Sequence, residues 1–153
     1  PKLPIVFCDD EKGDSVTAYK LNRATGLLKA FHTLSTLPAD FDGDKNSCAD
    51  IEITRDGKFI YASNRGHNSI AGFAVDAKTG TLKSIGQFAT GEVPRSFNLG
   101  PNNKWLIAAG QRSHDLHIYE RNPKTGKLTK VRQQSTGKGP GWVQFIPIRV
   151  VKK

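Results

Sequence analysis

Asp56-Gly57-Lys58-Phe59, Tyr61-Ala62-Ser63-Asn64 and Ile70-Ala71-Gly72-Phe73 return 46 residues later as Asn102-Asn103-Lys104-Trp105, Ile107-Ala108-Ala109-Gly110 and Leu116-His117-Ile118-Tyr119. At the same offset Lys78-Thr79-Gly80 becomes Lys124-Thr125-Gly126, and Thr90-Gly91 with Pro94 becomes Thr136-Gly137 with Pro140. An earlier copy lies 54 residues upstream of the middle one: Ser15-Val16-Thr17-Ala18-Tyr19 matches 69–73, and Ala24-Thr25-Gly26 matches Lys78-Thr79-Gly80. The eight residues by which the offsets differ fit in the polar stretch 35–47.

The middle copy reads as four short strands at 50–54, 59–63, 69–75 and 82–89. They are rich in Ile, Val, Phe, Tyr and Ala and alternate in part with a period of two. Asp-Gly and Thr-Gly supply the positive φ that tight hairpins need. No amphipathic helix is visible. Four antiparallel strands every 40–50 residues mark a β-propeller blade, so the expected fold is all-β, about three four-stranded blades of a larger ring. Residues 1–153 read as one partial propeller domain, with strands b to d of a first blade in 4–34, blades at 49–89 and 95–135, and a lone closing strand a at 141–146. The chain opens at Pro1 and has no Met, and we expect it to be the C-terminal part of a longer propeller. Its ring is to be completed by the remainder of that propeller or by a second copy.

Composition sets limits. The length, 153 residues, is that of one domain. With 37% hydrophobic and 24% charged residues, collagen, coiled coil and a fully disordered tail are excluded. No apolar run reaches the ~18 residues of a membrane helix, so no membrane association is expected. A net charge of +9 suits an anionic partner. The basic residues are dispersed, as in Lys124, Lys127, Lys130 and Arg132, so nucleic acid is not expected. Cys8 and Cys48 are too few for a disulfide scaffold and read as buried free thiols of a reducing compartment.

Blade topology places the b–c loops and d–a connections on one face of the disc and the short a–b and c–d turns on the other. The b–c loops hold the unusual side chains: Cys8-Asp9-Asp10-Glu11, Asn64-Arg65-Gly66-His67 and Gln111-Arg112-Ser113-His114. Glu11, Arg65 and Gln111 share one repeat position, and Arg95 enters an innermost strand after Pro94. A carboxylate and two guanidiniums thus converge near the axis, as an anion site with a general base requires. Other motifs fail on their own terms. Asp42-Gly43-Asp44-Lys45-Asn46 opens like a calcium loop but has Ser47 sixth and Ile53 twelfth. His114 and His117 belong to a loop and strand rather than a helix, so no metal is expected there. Gly137-Lys138-Gly139-Pro140-Gly141 lacks the strand–loop–helix setting of a phosphate loop.

The stretch 106–114 resembles the seven-bladed β-propeller lactonases of the bacterial 6-phosphogluconolactonase type, as do 49–58, Tyr61-Ala62, Asn64-Arg65, 36–41 and 137–143. The resemblance covers nearly the whole chain and a little under half of such a propeller, at its C-terminal end. It implies a seven-bladed ring and a cytoplasmic hydrolase of the pentose phosphate pathway that opens 6-phosphogluconolactone without metal or other cofactor, its activity belonging to the complete propeller. The family's Asn-Glu-Leu falls on Asp10-Glu11-Lys12, its Arg motif on Asn64-Arg65 and its Pro-Arg on Pro94-Arg95. Where the family often has Ala-Asp-Ile-His, this chain has Ala49-Asp50-Ile51-Glu52.

The expected catalytic set is therefore Glu11, Arg65 and Arg95, with Asn64, His67 and Gln111 as substrate-binding residues. Glu11 would deprotonate the attacking water, and the arginines would hold the phosphate of a small phosphorylated sugar lactone and steady the oxyanion. The alternatives are a non-catalytic propeller scaffold, a muconate-type cycloisomerase or another sugar lactonase.

Overall fold

The computed structural model describes residues 4–146. It contains eleven β-strands: β1 (Ile5–Asp10), β2 (Ser15–Leu21), β3 (Leu28–Ser35), β4 (Cys48–Ile53), β5 (Phe59–Asn64), β6 (Ser69–Val75), β7 (Leu82–Ala89), β8 (Pro94–Leu99), β9 (Trp105–Gly110), β10 (Asp115–Arg121) and β11 (Leu128–Ser135). They form three antiparallel sheets, β1-β2-β3, β4-β5-β6-β7 and β8-β9-β10-β11. The offsets of 54 and 46 carry every strand boundary of one sheet onto the next. The repeat-equivalent strands β2, β6 and β10 carry the same register shift, between Ala18/Tyr19, Gly72/Phe73 and Ile118/Tyr119.

Local chemistry explains the repetition. Each c–d turn begins with Asn22, Asp76 or Asn122, whose side-chain oxygen accepts two backbone N–H groups two and three residues on. Each then places a glycine in the left-handed region, Gly26, Gly80 and Gly126 at φ 75°, 76° and 72°. The b–c turns place Asp14, Asn68 and His114 there instead, at φ 48°, 54° and 58°. Asn, Asp and His are the non-glycine residues that tolerate this conformation best.

The sheets pack face to face. Phe7, Val16 and Leu34 of the first sheet meet Ile60, Phe73 and Leu82 of the second. At the same repeat positions Tyr61, Ile70 and Phe88 of the second meet Leu106, Tyr119 and Leu128 of the third. Polar ties cross the joints. The Tyr61 hydroxyl donates to the Gly126 carbonyl at 2.6 Å, the Phe97 N–H to Asp50 Oδ2 at 3.0 Å, and Asn98 Nδ2 to Glu52 Oε1 at 2.8 Å. Within the third sheet the buried Asp115 accepts from Ser113 and Gln133, each at 2.7 Å, and faces His117 Nε2 at 3.3 Å. Burial raises the pKa of its carboxyl, and the bonds from Ser113, Gln133 and His117 outweigh that and lower it.

Two expectations are corrected. Residues 141–146 form no strand among the described residues: the Val143 N–H reaches Ser96 Oγ at 3.2 Å, repeating the Phe97–Asp50 tie, but no described neighbour offers a ladder to pair with. Cys48 is buried, but Cys8 is exposed. Its repeat equivalents Ala62 and Ala108 are each covered by the preceding sheet, and no described sheet covers that face of the first.

The Asp115 network sets a stability test. Asp115→Ala leaves three partners unpaired in a buried site and should cost roughly 2–3 kcal/mol. Tyr61→Phe, losing one neutral bond, should cost about 1 kcal/mol. Urea unfolding of both variants checks the order; a larger loss in Tyr61→Phe would show that the joint, not the network, holds the third sheet.

Candidate active site

Glu11 follows β1 and Arg65 follows β5, at one repeat position in neighbouring sheets. Their side chains meet across the joint, Arg65 donating from a terminal guanidinium nitrogen to Glu11 Oε1 at 2.6 Å. The same nitrogen donates to the Cys48 carbonyl at 2.9 Å, and the Cys48 N–H donates to the Glu11 carbonyl at 3.0 Å. The start of β4 is thus wedged between the two residues. Arg65 Nε is buried without a hydrogen-bond partner. The Glu11 side chain is 59% exposed and that of Arg65 21%, so the carboxylate stands at the surface and the guanidinium beneath it.

The hydrogen bond and charge of Arg65, with lesser contributions from Lys12 and Arg95, hold Glu11 below the usual carboxylate range. Asp9, on the same strand, moves the other way: burial raises its pKa, and Asp50, Asp10 and Glu11 add to the rise. Glu52, deeper along β4, is also raised, first by burial and then by Asp50. The face therefore carries a fixed anion, Glu11, with Asp9 nearby as a carboxyl that protonates more readily.

The other expected residues separate into two groups. Arg95, exposed at the start of β8, is close enough to act electrostatically on Glu11. Asn64 does not face the site, which corrects its reading as a substrate ligand. It is fully buried, its Oδ1 accepting from Thr36 and Asn46 and its Nδ2 donating to the Thr36 carbonyl and Ser69. His67 is half-buried, with Nδ1 2.7 Å from Ser69 Oγ and its ring edge-on to Phe41 at 5.3 Å. Gln111 is half-buried, tied through its N–H to Val93.

Sequence reading missed Asn46. Its Oδ1 accepts from both the Gly66 and His67 N–H groups, at 2.9 and 3.0 Å, and its Nδ2 donates to Asp14 at 2.7 Å. The chain 36–47 is thereby strapped onto the turn that carries Arg65. A Cβ on Gly66 would collide with the Lys45 carbonyl, so the strap requires glycine there. Beside it opens a cavity of about 430 Å³ lined by Lys12, Asp14, Asp44, Lys45, Asn46 and Arg65, among others. The only sequence signal was the failed calcium loop, whose Asn46 serves a turn rather than an ion. Glu52 and Asn98, joined across the joint, stand at one repeat position, which the 46-residue offset could have revealed.

The family model described as "Lactonase, 7-bladed beta-propeller" matches residues 1–145. A 6-phosphogluconolactonase of Serratia proteamaculans is 34% identical over 140 residues, covering 92% of this chain and 42% of that protein. A solved protein from Lactobacillus plantarum superposes with a TM-score of 0.89 at 32% identity, over 94% of this chain and 42% of the other. The periplasmic gluconolactonase of Pseudomonas aeruginosa superposes at 0.82 with 26% identity, over 89% and 38%. The chain thus spans about two fifths of the length of these relatives. The chain belongs to the seven-bladed β-propeller lactonase family.

Proposed function

We propose that this chain carries part of the active face of a lactone hydrolase, and that its substrate is a phosphorylated sugar lactone, 6-phosphogluconolactone, opened in the pentose phosphate pathway of the cytoplasm. The observation that carries the reading is the Glu11–Arg65 pair at 2.6 Å, with Arg95 within electrostatic reach. The names of the Serratia and Pseudomonas relatives support lactone chemistry. The phosphate rests on the first of these names and on the basic face, with Lys12 and Lys45 beside Arg65.

In the resting pair Glu11 is a weak base, because Arg65 stabilises its charge. An anionic substrate competes for Arg65. As the guanidinium turns to the phosphate or to the developing oxyanion, Glu11 loses its partner and regains basicity. It then takes a proton from water, whose oxygen attacks the lactone carbonyl; the ring C–O bond breaks and the ring oxygen takes up a proton, giving the open hydroxy acid. Arg65 and Arg95 offset the negative charge that builds on the carbonyl oxygen.

The second reading is hydrolysis of an unphosphorylated sugar lactone, favoured by the name of the Pseudomonas relative. Comparing 6-phosphogluconolactone with gluconolactone separates the two.

In the active protein, Glu11→Gln should lower kcat by about 100-fold or more with a much smaller change in KM. Full activity in Glu11→Gln removes it as the base. Arg65→Lys keeps the charge but loses the planar fork, and should raise KM for the phosphorylated lactone about 10-fold or more. The pH dependence has a defined sign. A carboxylate base is active above its pKa, so activity falls as pH drops through it. Free Glu11 is held below the ordinary glutamate range by Arg65, so kcat/KM should retain its value to lower pH than kcat, which reports the bound state. Coincident acid limbs would contradict the release of Glu11 by substrate.

A further inference from the structure

The connection that leads into β8 and the one that follows β11 are clamped in the same way. Asn68 and His114 stand 46 residues apart at one repeat position, both in the left-handed region. Each accepts at its backbone carbonyl, from the Thr90 and Thr136 N–H groups, both at 2.9 Å. Each also accepts at its side chain, Asn68 Oδ1 from the Val93 N–H and His114 Nδ1 from the Gly139 N–H, again at 2.9 Å. The two residues held in this way, Val93 and Gly139, are repeat-equivalent, and both are left-handed, at φ 56° and 66°. Each precedes a proline, Pro94 or Pro140.

For Gly139 this conformation costs little. For Val93 it is disfavoured twice. A β-branched side chain crowds its own backbone at positive φ, and a residue followed by proline is pushed toward the extended region. Such a residue persists only where its surroundings over-determine it, and here they do. Besides the Asn68 bond, the Val93 carbonyl accepts the Gln111 N–H at 3.1 Å. The Glu92 N–H donates to Ser113 Oγ at 3.0 Å, and the Glu92 carbonyl accepts the Arg112 N–H at 3.1 Å. Gly91 is seated so closely that a Cβ on it would collide with Asp115 and Ser113. The whole segment is pinned from the turns on either side of it.

The two copies differ in what the pivot leads to. After Gly139-Pro140 comes Gly141, with no side chain to aim; after Val93-Pro94 comes Arg95. Glycine has wide basins at both signs of φ, so a chain leaving it is free to swing. Valine has one narrow left-handed well, and proline fixes the φ that follows. We propose that Val93 is a positioning residue: clamped between Asn68 and Gln111, it fixes where Arg95 stands relative to Glu11. The clamp also ties Arg95 to the other arginine, because Asn68 closes the turn that carries Arg65. The strained residue stands in the copy that has a side chain to aim, and glycine stands in the copy that has none. This inference rests on the role given to Arg95 above.

In the active protein, Val93→Gly relieves the strain and loosens the pivot, so stability and activity should respond differently. Its unfolding midpoint should equal or exceed that of the parent, whereas loss of a half-buried valine from an unstrained position lowers it. Its kcat/KM for 6-phosphogluconolactone should fall about 10-fold or more. In an Arg95→Ala background Val93→Gly should lower kcat/KM no further, because it acts through Arg95. Asn68→Ala removes the acceptor and should lower kcat/KM as Val93→Gly does. Asn68→Asp restores an acceptor that tolerates positive φ, as Asp14 does at that position in the first sheet, and should restore kcat/KM. A lowered midpoint in Val93→Gly, an undiminished kcat/KM, or a further loss in the Arg95→Ala background would each overturn the proposal. Full activity in Arg95→Ala would instead remove Arg95 from the reaction, and Val93 with it.

Discussion

Everything in this molecule depends on sheets that are apolar on both faces. A β-sheet with one wet face can stand at the edge of a sandwich, but these sheets bury residues of both parities. In β5, Ile60 and Ala62 face one neighbour while Phe59 and Tyr61 face the other. Such a sheet buries both of its apolar faces only between two others. Fully burying a large apolar side chain is worth about 1.5–3 kcal/mol, and each joint contains several. The short turns, the shared bulge and the side-chain caps follow from this requirement, since each sheet must present the same two surfaces.

The candidate site is a consequence of the same packing. Glu11 and Arg65 belong to different sheets and are 54 residues apart, yet they meet because the loops at one repeat position of adjacent sheets project side by side. Cys48 adds its backbone between them. The charge balance of the face is then set by neighbours from both sheets, lowering Glu11 and raising Asp9. A joint between sheets is a good place for such a pair. The buried side supplies rigid backbone acceptors, and the open side admits solute.

The fold was legible because its signal is self-similarity, which survives substitution of individual residues. The offsets alone locate β5 to β11 nearly to the residue. The meeting of Glu11 with Arg65 was legible for the same reason. What the offsets do not encode is the direction of a side chain at a loop. Asn64 follows strand alternation into the interior, where its amide is saturated, and only the adjacent Arg65 turns outward. Asn46 was illegible because it lies in the one stretch without a repeat counterpart. Cys8 was misread because its type suggests burial, whereas its face is decided by which sheets are present. Residues 142–146 have the composition of a strand, but a strand is a property of two segments, and this one has the position without the partner.

The strap formed by residues 36–47 and the glycine beneath it are mutually dependent. In the first and third blades the position of Gly66 is held by Lys12 and Arg112, whereas in the second the Lys45 carbonyl lies where a Cβ would stand. A side chain at this position and the strap in its present course exclude one another. The loop next to Arg65 therefore works like a peg and its hole: neither part can be altered without refitting the other.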